Sequence, residues 1–138
     1  MNIYFACSIT GGRELEGFYA RFVAALEAQG HIIPTSHLAR SEAMEGERAL
    51  TPRDVYERDV KWVRECDVLI AEVSVPSHGV GYEIGYALAS GKPALCIYQD
   101  GCRVSKMITG NPDPALHVIS YSTFEDALAL AEEFLGAS

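Results

Sequence analysis

Two acidic residues, Glu83 and Asp59, stand among apolar neighbours in segments that otherwise read as packed helices. Glu83 belongs to SVPSHGVGYEIGYALASGKP, residues 74–93, where a glycine-punctuated turn runs into a helix. The spacing puts it in the first turn, beside Val80, Ile84, Ala87 and Leu88, where the helix dipole favours an ionised carboxylate. Asp59 belongs to PRDVYERDVKWVREC, residues 52–66. At about 100° per residue it falls within the apolar stripe of Val55, Trp62, Val63 and Cys66. A carboxylate on such a face costs roughly several kcal/mol unless it is paired or protonated. Alone, each has a structural explanation, an ion pair for Asp59 and a helix-terminus charge for Glu83. Together, one ionised and one with its pKa raised by burial, they match a nucleophile and acid/base pair. In retaining glycoside hydrolysis such carboxylates stand about 5–5.5 Å apart around the anomeric carbon.

A second group could hold an anion. CSITGGRE, residues 7–14, joins a strand to a helix, and Ser8, Gly11 and Gly12 offer hydroxyl and backbone donors there. Arg13 adds charge, and Ser77 could aim its hydroxyl at the same spot. The segment is neither a GxGxxG nor a P-loop, and small residues would serve any strand-to-helix turn. The glycines before Glu83 need not cradle an anion themselves; they can let a carboxylate and a sugar approach closely.

The elements that must position these residues alternate. NIYFACSI reads as a strand, GGRELEGFYARFVAALEAQG as a helix with Phe18, Phe22, Val23 and Leu26 inward and Gly30 as its cap, and HIIPT as a second strand near an edge. Residues 36–50 are polar and weakly patterned, in the manner of a mobile lid. Thr51 and Pro52 open the Asp59 helix, and DVLIAEVS is a continuous apolar strand of the kind buried on both faces. The Glu83 helix, the strand ALCIY, a short helix in RVSKMITG and the strand LHVISY follow, and Ser122 with Glu125 forms a capping box for the last helix. This order predicts a doubly wound, mostly parallel five-stranded α/β sheet flanked by helices, Rossmann-like, with ligands at the carboxyl ends of the strands.

At 138 residues the chain is expected to form one domain over 1–138. Its formal charge of −8 argues against nucleic-acid polymers and anionic membranes as partners. No basic, apolar leader is apparent, and no stretch approaches the roughly 20 apolar residues that span a bilayer. Cys7, Cys66, Cys96 and Cys102 are scattered without a CxxC pair, so reduced core cysteines and a cytoplasmic location are expected, with no metal site.

IYFACSITGGRE, YERDVKWVRECDVLIAEVSVPSHGVGYEIGYALASGKP and RVSKMITG occur in this order over most of residues 2–110. In this combination the chain resembles the 2'-deoxynucleoside 5'-phosphate N-hydrolases of the nucleoside 2-deoxyribosyltransferase superfamily. The resemblance implies release of a free base and 2-deoxyribose 5-phosphate from a deoxynucleoside monophosphate, without a cofactor. It maps the nucleophile onto Glu83, the proton-transfer aspartate onto Asp59 and a tyrosine beside sugar and nucleophile onto Tyr4. Phosphate contacts map onto Ser8, Ile9, Gly11, Gly12, Arg13, Ser77 and Gly79. Ser105 and Met107 match a segment that reaches the neighbouring subunit's site, which implies a homodimer. The chain departs from the pattern at Thr10, where some relatives carry a second arginine, and at Cys7, where relatives carry glycine. Tyr4 stands where ribonucleotide-cleaving relatives carry phenylalanine, which tilts the reading towards deoxyribose.

Other residues offer less. Tyr4, on a strand, would ordinarily be core. His37, after the second expected strand, could contact a base or simply face solvent, and His78 is expected to be exposed. Trp62, Tyr82 and Tyr86 suit packing or an interface. A deoxyribosyltransferase, a ribonucleotide N-glycosidase and a non-catalytic nucleotide sensor are the alternative functions.

Overall fold

The computed structural model describes residues 1–9, 13–39 and 49–138; the side chains of residues 13 and 14 lie outside that description. Four strands, β1 (Ile3–Ala6), β2 (Val68–Glu72), β3 (Ala94–Gln99) and β4 (Leu116–Tyr121), form one parallel sheet in the order β1-β2-β3-β4. The register runs Tyr4↔Leu69, Leu69↔Ala94 and Ala94↔Leu116. Every residue of β1 and β2 is buried, as continuous apolar strands covered on both faces must be.

Helices cover both faces. On one side α1 (Arg13–Ala28) and α5 (Phe124–Ala137) pack Phe22, Leu26, Ala131 and Leu135 against Ile3, Phe5, Ile70 and Ile97. On the other, α2 (Pro52–Glu65) and α3 (His78–Ala89) pack Val63, Val80, Ile84 and Ala87 against Tyr4, Leu69, Ala71 and Cys96. The short α4 (Lys106–Thr109) lies before β4. Thr51 caps α2 in a reciprocal capping box with Asp54, ahead of Pro52. Gly30 takes φ +92° just after α1, a left-handed conformation that glycine adopts without strain.

The expected strand HIIPT is not a strand. Ile32 makes one parallel bridge to Asn2, and the sheet has four strands, not five, among the described residues. Pro34 has no N–H to continue a ladder. Thr35 replaces it: its Oγ1 accepts from Phe5 N (3.1 Å) and donates to Phe5 O (2.8 Å). The bridge nonetheless fixes the winding. The chain steps from β1 to one side, at Ile32, then returns past β1 to β2 on the other. The direction of winding therefore reverses between β1 and β2, and the carboxyl ends of those strands are where such sheets bind ligands.

Two further expectations shift. The cap of α5 is Thr123 paired with Asp126, one residue beyond Ser122 and Glu125. Of residues 36–50, Ser36–Ala39 form a 3-10 helix with Ala39 buried, residues 40–48 of the expected lid lie outside the described residues, and Ala49 and Leu50 are exposed.

Candidate active site

The site is assembled between α2 and α3, on the sheet face to which β1 contributes Tyr4. Ser77 is the N-cap of α3, its Oγ accepting from Val80 N at 3.3 Å. The helix therefore begins at His78, and Gly79 and Gly81 are helical residues rather than a preceding turn. Glu83 consequently lies in the second turn, not the first. The dipole there is weaker, and burial governs the carboxyl, raising it from 4.5 to about 8. The carboxylate expected to be ionised by the helix dipole thus has its pKa raised by burial.

Glu83 is held from the sheet side. Tyr4, fully buried on β1, donates its hydroxyl proton to Glu83 Oε2. The other oxygen, Oε1, faces Gly79: a Cβ at position 79 would stand 3.9 Å from Glu83 Oε1 and 3.9 Å from Ser77 Oγ. The glycine leaves open the space between the carboxylate and the hydroxyl. Ser77 Oγ, already an acceptor, keeps its proton to donate.

Asp59 shares a cavity with Glu83 and Gly79, which Ser77 does not line. This cavity of about 310 Å³ between α2 and α3 is lined by both Asp59 and Glu83, together with Gly79, Val55, Tyr56 and Tyr82. Asp59 is half-buried and accepts from Arg58 Nε at 2.9 Å. The ion-pair explanation and the cavity therefore both hold. Arg58 lies over the Trp62 ring at 5.1 Å, which steadies a contact between adjacent helix residues that do not otherwise face each other.

The remaining sequence candidates divide. Ser8 is buried, only 2% exposed, two residues beyond the end of β1, and Ile9 follows in the turn. Gly11, Gly12 and the Arg13 side chain lie outside the described residues. His37 is exposed and packs edge-on to Trp62 at 5.8 Å; it does not line the Asp59–Glu83 cavity. Ser105 and Met107 line a different groove, about 1020 Å³, shared with Ser77 and Tyr82. Ser105 Oγ caps Met107 N at 3.2 Å, and Met107 is 84% exposed. Neither lines the cavity of Asp59 and Glu83.

Sequence reasoning did not single out Tyr56, which lines the cavity one turn before Asp59 and meets Tyr82 edge-on at 6.2 Å. Its signal was an aromatic ring on the same helix side as the aspartate. The fully buried Glu72 was also passed over, inside an apolar strand.

The family described as nucleoside 2-deoxyribosyltransferase matches residues 3–125, a span that includes Tyr4, Asp59, Ser77, Gly79 and Glu83. The chain belongs to this family. A Thermofilum pendens relative, named as a candidate 2'-deoxynucleoside 5'-phosphate N-hydrolase, is 37% identical over 140 residues, covering 100% of this chain and 97% of that protein. A Mus musculus relative named 5-hydroxymethyl-dUMP N-hydrolase is 45% identical over 116 residues, 81% of this chain and 66% of the mouse protein. Among solved structures, the Clostridium botulinum CMP N-glycosidase BcmB aligns with a TM-score of 0.71 at 21% identity, over 96% of this chain and 99% of that one. At that identity the likeness concerns the α/β fold, which this family member shares.

Proposed function

We propose that the protein hydrolyses the N-glycosidic bond of 2'-deoxynucleoside 5'-monophosphates, releasing the base and 2-deoxyribose 5-phosphate. The observation that carries this reading is the single cavity into which Asp59 and Glu83 both open, with Tyr4 bonded to one oxygen of Glu83. The names of the Thermofilum and mouse relatives support the substrate class.

Glu83 is the nucleophile. With Oε2 engaged by Tyr4, Oε1 attacks C1', the C1'–N bond breaks, and its electron pair leaves with the base. Asp59 assists protonation of the departing base and then takes a proton from the water that opens the glycosyl ester. The absent 2'-hydroxyl lets an oxocarbenium-like transition state form readily. Tyr4 stabilises the carboxylate that forms again when the ester is cleaved. The phosphate lies at the strand ends, held by Ser8, Ile9, Gly11, Gly12, Arg13, Ser77 and Gly79, and this remote grip positions the sugar. Ser105 and Met107 of one protomer complete the site of the other in a homodimer; the apolar groove they line and the exposure of Met107 support that arrangement.

A second reading, transfer of the deoxyribosyl group to another base, is favoured by the description of the family itself. One incubation separates the two. A panel of deoxynucleoside and ribonucleoside monophosphates and unphosphorylated deoxynucleosides is followed by chromatography, with and without a second free base. Hydrolysis predicts base release from deoxynucleotides without an acceptor. Exchange that requires an acceptor supports the transferase, and preferred release from ribonucleotides overturns the deoxyribose assignment.

A further inference from the structure

Glu72 is the last residue of β2, 0% exposed, on the sheet face opposite Glu83. No step proposed above uses it. Burial pushes its pKa up, and hydrogen bonds from Tyr121 and Ser74 oppose that shift. Its oxygens accept from Ser74 N (2.6 Å), Ser74 Oγ (2.9 Å) and the Tyr121 hydroxyl. Ser74 Oγ in turn accepts from Gln99 N at 2.8 Å. The ladder between β2 and β3 ends where Val73 N donates to Ile97 O, so Ser74 extends it by a side chain. One carboxylate thus ties together the carboxyl ends of β2, β3 and β4.

The tie sits just before the site. Ser74 leads through Val75, half-buried against the core, and Pro76, whose φ is fixed, to Ser77. Ser77 shares with Glu83 Oε1 the open space beside Gly79. With Ser74 pinned, few backbone torsions are left to move the Ser77 hydroxyl relative to Glu83. Cys7, adjacent to Ser8, and Tyr19, whose buried hydroxyl has no partner among the described residues, lie within the electrostatic reach of the same carboxylate.

We propose that Glu72 is a positioning residue: through Ser74 it sets the placement of the Ser77 hydroxyl, and so the grip on the 5'-phosphate of the substrate. This rests on the phosphate role proposed for Ser77. The test measures kcat and KM for a deoxynucleoside monophosphate, and competitive inhibition by inorganic phosphate, in Glu72→Gln, Ser74→Ala and Ser77→Ala, well below the unfolding temperature. Glu72→Gln is expected to raise KM and the phosphate inhibition constant in parallel, about tenfold, with kcat within about twofold. Ser74→Ala, which keeps the Glu72–Tyr121 contact, is expected to give the same pattern at about threefold, and decides the matter if Glu72→Gln does not fold. A fall in kcat with both constants unchanged would mean a purely structural role and overturns the proposal. If Ser77→Ala shifts both constants while Glu72→Gln and Ser74→Ala do not, only the positioning role falls. If Ser77→Ala shifts neither, the phosphate assignment itself fails.

Discussion

Glu72 and Glu83 lie on opposite faces of one sheet, each with a carboxyl whose pKa burial raises, but Glu72 is fully buried and Glu83 half-buried, and the protein completes them differently. Glu72 receives three donors from the chain, which engage both oxygens, and it meets no cavity wall described above. Among the described residues Glu83 receives one donor, from Tyr4, on one oxygen, and its other oxygen faces the gap beside Gly79. A buried carboxylate with both oxygens engaged suits a structural role; one with an oxygen left towards open space suits a reactive one. The open side of Glu83 supports the reactive role proposed for it, and the closed, fully buried Glu72 supports a structural one.

The largest effect that sharpens this contrast is on turnover. Glu83→Gln is expected to lower base release by roughly four orders of magnitude while nucleotide binding, measured by titration, persists. The same group sets the pH response. In the free protein its carboxyl lies at about 8, so kcat/KM is expected to rise with pH and level off above that value. A profile flat from pH 6 to 9 would place the nucleophile elsewhere. Tyr4→Phe comes next: removing a donor to a charged oxygen is expected to cost roughly tenfold in kcat/KM and to move the ascending limb to higher pH.

The smallest effect is on stability, and it carries opposite signs. A carboxyl whose folded pKa exceeds its unfolded value contributes stability fully only below the unfolded pKa, and that contribution is lost as pH rises through the folded one. Wild type should therefore lose stability between pH 4.5 and about 8 through Glu83. Glu83→Gln lacks that slope and should be the more stable protein at pH 8, by roughly 2 kcal/mol. Glu72→Gln sets an amide N–H against donors and should be less stable by about 1–3 kcal/mol. Thermal unfolding across this pH range reads both, and shifts of the same sign would break the comparison.

The sequence made the layers legible because strands buried on both faces leave continuous apolar runs, as in VLIAE and ALCIYQ, and because Thr51 with Pro52 announces a helix start. Asp59 and Glu83 stood out because each interrupts an apolar helix face. The position of Glu83 within its helix was misread because Gly79 and Gly81 look like a turn, whereas Ser77 caps a helix that already contains them. The fifth strand was misread because HIIPT has strand composition, and only the spatial neighbour Phe5 reveals that the Thr35 side chain takes the place of a ladder. Glu72 was hidden because its partner Tyr121, and Gln99 bound to Ser74 beside it, are remote in sequence and come together only at the sheet's carboxyl edge.

The central claim, that Glu83 Oε1 bonds to the sugar carbon, is tested most directly by mass spectrometry of an Asp59→Asn variant quenched during turnover of a deoxynucleoside monophosphate. With a substrate whose leaving group needs no protonation, only the second, water-activating step is slowed, and the protein should gain the mass of one deoxyribosyl phosphate, on the peptide that carries Glu83. Base release from protein that stays unmodified throughout, or an adduct on any other residue, would contradict it.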